Sequence, residues 1–279
     1  MNKLWLLSSE TTNASVGGDS TVIRIAINFL DKAKISFNTL HVAPFSSKNI
    51  ATDCDLSFRA LPFLPIYLNY LLAGIKFNKI LRKLPAGLAV GGSPIAGAIP
   101  FASKIPYGLW IATTLSDEYK TRNLRKELVD KHYGICINKL FVKFNKLLEN
   151  IVLKNARFII CMSPYIMKSI INNYNINDES LLYIPFPIEA NNKIINNYSS
   201  NSCPRLLAVG RVDDKRKNYS FLLDAMNTLI KKYPKSNLRI VGEISENSKI
   251  SYQCMKLNLN SHVKFLGKIS FEELQREYE

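Results

Sequence analysis

The stretch Gly210-Arg211-Val212-Asp213-Asp214-Lys215-Arg216-Lys217-Asn218-Tyr219-Ser220 gathers four cations and two carboxylates into one polar segment. Arg211 offers a planar fork of donors matched to phosphate oxygens, and Lys217 adds a point charge. Gly210 lets the backbone turn close to a bound group, and Asn218 is a favourable residue at the start of a helix. Such a set suits an anionic ligand such as a diphosphate. A run like Lys215, Arg216, Lys217 is equally what a solvated surface presents, and spacing alone leaves both readings open.

The segment's neighbours say where it sits. An apolar run, Arg205 to Val209, precedes it and an amphipathic one, Phe221 to Met226, follows, so a strand leads through the basic loop into a helix. In an open parallel sheet, ligands bind beyond the carboxyl ends of the strands, where helix N-termini aim free N–H groups. The same alternation runs along the chain and marks an α/β protein with parallel sheets. Strands are expected near 1–7, 37–42, 87–90, 108–112, 157–161, 205–209, 238–241 and 263–266. Helices are expected near 21–33, from Ser163, near 218–232, near 247–257 and from Ser270. A further helix has Ile137, Leu140, Phe141, Phe144, Leu147, Leu148 and Ile151 at the spacing of one face, with Lys139, Lys143 and Lys146 on the other. Residues 191–203 are rich in Asn and Ser and read as a linker between a domain at 1–190 and another at 204–279.

Length and composition set limits. The 279 residues, 47% apolar, suffice for two buried cores. Lys and Arg outnumber Asp and Glu by 37 to 22, a net charge of +15, which favours nucleic acid, an anionic membrane surface or a phosphorylated small molecule as partner. Zinc-ligand spacing, an aromatic-basic RNA signature and a basic recognition helix are all missing from the sequence, so no nucleic acid is expected. Five scattered cysteines, Cys54, Cys136, Cys161, Cys203 and Cys254, read as reduced thiols of a cytoplasmic protein. The apolar start, Met1 to Leu7, is too short for a signal peptide, and Leu61–Ile75, broken by Pro65 and Asn69, falls short of the ~20 residues that span a bilayer. Its apolar part, followed by Lys76, Lys79, Arg82 and Lys83, suits either a core-packed helix with a basic end or attachment to the cytosolic face of an anionic membrane.

The ordered motifs Gly210-Arg211-x-Asp213-x-x-x-Lys217-Asn218, Leu222-Leu223-x-Ala225, Leu238 to Gly242, Val263 to Ser270 and Glu273-Leu274 resemble the start of the nucleotide-sugar-binding domain of family 4 glycosyltransferases. That resemblance implies the GT-B fold: two Rossmann-like α/β domains, here with the second incomplete. It implies a nucleotide-sugar donor, a glycan or lipid-linked acceptor, retention of anomeric configuration, and no metal or other cofactor. Arg211 and Lys217 would stabilise the donor diphosphate as the catalytic pair, with Gly210 and Asn218 beside them and Gly17 and Gly18 lending backbone amides from the first strand-to-helix loop. Asp213, Asp214 and Arg216 are neighbours without an assigned role. The block Trp110 to Arg122 is similar to a stretch of bacterial members, which makes Thr113, Thr114, Asp117, Glu118 and Arg122 acceptor-side candidates, and Ser93 is a further one; for Asp117, Glu118 and Arg122 the alternative is a helix cap with a structural ion pair.

Relatives often carry a histidine near the transferring sugar. His41, His132 and His262 lie outside the Gly91–Thr114 window and read as surface or strand-end residues. Asp53-Cys54-Asp55 has the form of a metal-diphosphate motif from another fold, but no clear strand precedes it and it reads as a loop. The family's paired glutamates and closing helices do not follow Glu279, so the chain is expected to be a fragment of a polysaccharide or cell-envelope glycan enzyme. The alternatives are a non-catalytic remnant that binds a partner and a basic nucleic-acid-binding protein.

Overall fold

The computed structural model describes residues 3–8, 18–43, 56–61, 64–117, 139–185 and 203–278. The chain divides into two compact units, Met1–Glu189 and Ala190–Glu279.

In the first unit, β1 (Lys3–Ser8), β2 (Ser36–Ala43), β3 (Leu56–Arg59), β4 (Gly87–Gly91), β5 (Tyr107–Ile111), β6 (Phe158–Cys161) and β7 (Leu181–Tyr183) form one sheet in the order β3-β2-β1-β4-β5-β6-β7. Every pairing is parallel. A parallel sheet needs cover on both faces, and the strands are apolar on both. Leu6, Val90 and Trp110 pack with Val22, Ile23 and Ala26 of α1 (Gly18–Lys32) on one side. On the other, Trp5, Leu7, Ala89, Leu109 and Ile111 meet Tyr67, Tyr70 and Ala73 of α2 (Ile66–Lys76), Ile99 of α4 (Ala98–Ser103) and Val152 and Leu153 of α5 (Lys139–Asn155). Between α2 and α4 lies the single turn α3 (Asn78–Leu81). The strand order reverses between β1 and β4, the place where an open α/β sheet offers a crevice beyond its strand ends.

Residues 66–76 thus form a core-packed helix, with Tyr67, Asn69, Tyr70, Ala73 and Gly74 buried. A Cβ on Gly74 would stand 2.3 Å from the Ile99 carbonyl oxygen, so glycine allows α2 to lie against α4. Among the described residues no helix is long and apolar enough to cross a membrane.

Two expectations change. The inward face of α5 is turned from the one its apolar spacing suggests: Phe144 is 36% and Leu147 55% exposed, whereas Asn145 and Glu149 are buried beside Val152 and Leu153. The reason is a polar anchor. The Glu149 carboxylate accepts from the Leu115 amide at 2.7 Å and from the Tyr174 hydroxyl, and these bonds outweigh the burial of two aliphatic faces. His41 is a buried strand residue, not a surface one, and the half-buried His262 ring nitrogen lies 3.1 Å from the Ser236 carbonyl oxygen. His132 lies outside the described residues.

In the second unit, β8 (Arg205–Val209), β9 (Asn237–Val241) and β10 (Val263–Gly267) pair in parallel in the order β10-β9-β8. Leu206, Ala208, Leu238, Ile240, Val263 and Phe265 face a core closed by Tyr219, Leu223 and Met226 of α7 (Tyr219–Lys232) and Cys254 of α8 (Lys249–Lys256). The opposite face carries Arg239, whose guanidinium pairs with Glu277 of α9 (Phe271–Tyr278). Ser270 and Glu273 begin α9 with a reciprocal capping box, amide to carboxylate at 2.8 Å and amide to hydroxyl at 3.2 Å.

At the carboxyl ends of β8 and β9, Gly210 and Gly242 have φ of 150° and 149°, and β10 closes at Gly267 with φ of 66°. A Cβ on Gly242 would stand 1.9 Å from the Gly210 carbonyl oxygen, whereas one on Gly267 meets nothing within 4 Å. Gly242→Ala should therefore cost roughly 3 kcal/mol, combining backbone strain with overpacking. Gly267→Ala should cost only about 1–2 kcal/mol, from left-handed backbone alone. Thermal unfolding of the two variants in parallel checks the difference, and equal losses would contradict the close contact.

Candidate functional site

The basic loop leaves β8 at Gly210 and enters α7 at Tyr219. Its path is set by main-chain bonds to the neighbouring strand: the Gly210 amide donates to Val241 O at 2.8 Å and the Val212 amide to Glu243 O at 3.0 Å. Val212 and Tyr219, 2% and 4% exposed, anchor its two ends in the core, and the Tyr219 hydroxyl donates back to the Gly210 carbonyl at 3.2 Å.

Between those anchors the charged side chains divide into two groups. Asp214 accepts from the Arg216 amide at 3.1 Å and holds the Arg216 guanidinium at 2.6 to 3.2 Å. The Arg216 hydrogen bonds, ahead of the opposing effect of burial, draw the Asp214 carboxyl down to about 2. Arg216 is therefore a structural partner of the turn at Lys215–Lys217. Arg211 reaches Asp214 only at 3.5 Å and its side chain is 66% exposed. Lys217 has no ion pair among the described residues; its stem crosses Gly210, where an added Cβ would stand 3.3 Å from Lys217 Cε. Arg211, only loosely paired, and Lys217 thus stand at the glycine-lined carboxyl edge of the sheet, while Asp214 holds Arg216 closely.

Asn218 occupies the position before α7 but does not cap it with its side chain. It adopts left-handed backbone, φ 50° and ψ 44°, and makes no side-chain cap bond. Asparagine tolerates that conformation, so it turns the chain from the tight Lys215–Lys217 turn into the helix. The capping oxygen in this loop belongs instead to Asp214.

Asp213 was left without a role by its spacing, and the structure supplies one. Its carboxylate accepts from the Ser245 amide at 2.8 Å, the Ser245 hydroxyl at 2.9 Å and the Ser248 hydroxyl at 2.5 Å. Partial burial pushes the Asp213 carboxyl up, but these bonds outweigh it and leave the group below its ordinary range. Ser245 and Ser248 carry no sequence signal, because only the fold brings residues 32 and 35 positions away to this loop.

In the first unit, Gly18 opens α1 after β1, while Gly17 lies outside the described residues, as do Glu118, Arg122 and Asp53-Cys54-Asp55. Ser93 and Thr113 stand beyond the ends of the adjacent strands β4 and β5, where the Thr113 amide donates to Gly92 O at 2.7 Å. Both are partly exposed. Thr114 and Asp117 point inward instead, 0% and 4% exposed. The Asp117 amide donates to the Thr114 hydroxyl at 3.1 Å, and that hydroxyl and Ser169 donate to the Asp117 carboxylate at 2.9 and 2.5 Å. In this structure they cap and hold the segment after β5. Burial and then the Glu149 carboxylate push the Tyr174 hydroxyl far above its usual range, so it remains a donor within the same network. Among the described residues no cluster of side chains could hold a metal ion.

The family profile described as Glycosyl transferases group 1 matches residues 192–279, which include the basic loop and all three strand ends around it. The match covers the carboxyl-terminal unit and does not extend into the first. No curated protein matches the chain in sequence. The chain resembles a lipopolysaccharide outer core galactosyltransferase, WaaB in its apo form, with a TM-score of 0.63 at 15% identity, over 99% of this chain and 71% of that one. It also resembles Anabaena HepE in complex with UDP and glucose, with a TM-score of 0.60 at 17% identity, over 97% and 70% of the two chains. The UDP-GlcNAc 2-epimerase of Neisseria meningitidis, bound to UDP-GlcNAc, matches with a TM-score of 0.51 at 13% identity, over 100% and 75%. These likenesses show the GT-B fold, which transferases and an epimerase share.

The depressed Asp214 carboxyl gives a pH test. A folded value of about 2 against an ordinary 3.8 means that the Asp214–Arg216 contact stabilises the loop fully above about pH 4. That contribution should disappear as pH falls through about 2, and an NMR titration of the Asp214 carboxyl should show the low midpoint. A midpoint near 4 would mean that the contact is not formed in solution.

Proposed function

We propose that the group 1 unit binds the diphosphate of a nucleotide-sugar donor through Arg211 and Lys217, and that the chain transfers the sugar with retention to a glycan or lipid-linked acceptor. The observation that carries this reading is the division of the loop's cations. Asp214 holds Arg216, while Arg211 is 66% exposed and the Lys217 stem crosses Gly210 at the sheet's carboxyl edge. Developing negative charge on a departing diphosphate is stabilised by preorganised cations and backbone dipoles aimed at it, and this edge supplies both. The donor's own phosphate can take the acceptor proton, so the protein's work is charge stabilisation and alignment, and no cofactor is required.

The molecules bound in similar structures, UDP with glucose in HepE and UDP-GlcNAc in the epimerase, favour a uridine donor. A lipopolysaccharide-directed relative favours a cell-envelope glycan as acceptor. Ser93 and Thr113 are the acceptor-side candidates left partly open to solvent. The exposed Lys76, Lys79 and Lys83, with Ile75 and Ile80 beside them, give the first unit a basic and apolar surface suited to an anionic bilayer at the cytosolic face. Co-sedimentation with liposomes should rise with anionic lipid content and fall with salt; binding indifferent to both would remove the membrane from this reading.

Calorimetric titration with UDP tests the central claim. Arg211→Ala and Lys217→Ala should each weaken binding by roughly tenfold or more, the scale of a charge-assisted hydrogen bond, with little change in melting temperature. Lys215→Ala should bind as the unaltered protein does. Affinity unchanged in the first two variants would overturn the assignment.

A further inference from the structure

We propose that Asp213 is a positioning residue for this donor site: it latches the basic loop to the turn after β9 and so fixes where Arg211 and Lys217 stand. The proposal rests on the donor-site reading given above, and it concerns a residue that would touch neither sugar nor phosphate.

Between its anchors at Val212 and Tyr219 the loop has no buried side chain. Asp214 bonds only within the loop, to Arg216 and distantly to Arg211. Asp213 reaches outside the loop, taking the Ser245 amide, the Ser245 hydroxyl and the Ser248 hydroxyl. Ser248 is in turn the cap of α8, accepting from the Ile250 amide at 3.2 Å. One carboxylate therefore joins the loop after β8 to the loop and helix start after β9.

Among the described residues every donor to Asp213 is neutral. Two consequences follow from chemistry. Three bonds to one carboxylate fix the backbone between Gly210 and Asp214, and so the origin of the Arg211 side chain. They also occupy both carboxylate oxygens, which if released would stand beside Arg211 and Lys217 and compete with a diphosphate for them. The latch orders the cations and keeps a rival anion off them.

The two consequences separate by substitution. Asp213→Ala removes the latch and the charge together, whereas Asp213→Asn keeps an acceptor for the Ser245 amide and gives the serine hydroxyls a donor they can accept. With UDP and with inorganic pyrophosphate as probes, Asp213→Ala should weaken binding by about tenfold, and Asp213→Asn should restore it to within about twofold of the unaltered protein. Ser245→Ala, which leaves the amide bond in place, should fall between them. Melting temperatures measured on the same samples separate a displaced loop from an unfolded unit. Should Asp213→Ala bind UDP as tightly as the unaltered protein while Arg211→Ala does not, the latch is wrong and the donor site stands. Equal weakening by Asp213→Ala and Asp213→Asn would also overturn it, since geometry would then not be what is lost. If the unaltered protein binds neither probe, or Arg211→Ala binds both normally, the donor-site reading fails and the latch fails with it.

Discussion

The carboxyl edge of the small sheet depends on a contact between two pieces of main chain. Gly242 approaches the Gly210 carbonyl so closely that even a methyl group there would overlap it, and the Gly210 and Val212 amides bond to Val241 and Glu243 on either side of that approach. This closeness brings the turns after β8 and β9 together, and only then can a carboxylate on one meet serines on the other. The basic loop's shape is thus a property of two strand exits, not of its own sequence alone.

The first unit solves a comparable problem with a buried charge. Glu149, fully enclosed, reaches from α5 to the Leu115 amide beyond β5 and to the Tyr174 hydroxyl on α6 (Pro164–Tyr174). Beside it, Thr114, Asp117 and Ser169 close a second set of bonds on the same segment. Enclosed polar groups are costly unless satisfied, and here satisfaction requires α5, α6 and the β5 exit to keep one arrangement. In both units, loops that follow parallel strands are held by carboxylates that receive neutral donors.

Much of this was legible from residue patterns, for a physical reason. Continuous apolar runs and small residues at strand ends marked most strands, and the loop motif with its ordered companions indicated the GT-B fold that the structure displays. Side-chain fates were less legible. Phe144 and Leu147 have the spacing of a buried face, yet Glu149 turns the helix, because a hydrogen-bonded carboxylate is not visible to an apolar periodicity. Asp117 has the residue type of a ligand site but takes part in a cap, the alternative open for it in the sequence, and Thr114 supplies the capping oxygen. Arg211 and Arg216 look alike in a list of cations; only geometry shows that Asp214 holds one tightly and barely touches the other. The role of Asp213 needed Ser245 and Ser248, which are distant in sequence and ordinary in type.

The glycines at 210, 242 and 267 carry an evolutionary consequence. A rim made of main chain offers no side chains for mutation to vary, and at 242 even alanine is excluded by the neighbouring carbonyl. Descendants of such a sequence inherit the rim nearly unaltered, and they can diversify what they accept only by redrawing the loops that rise from it. Conservatism and innovation are thereby assigned to different atoms of the same strand ends.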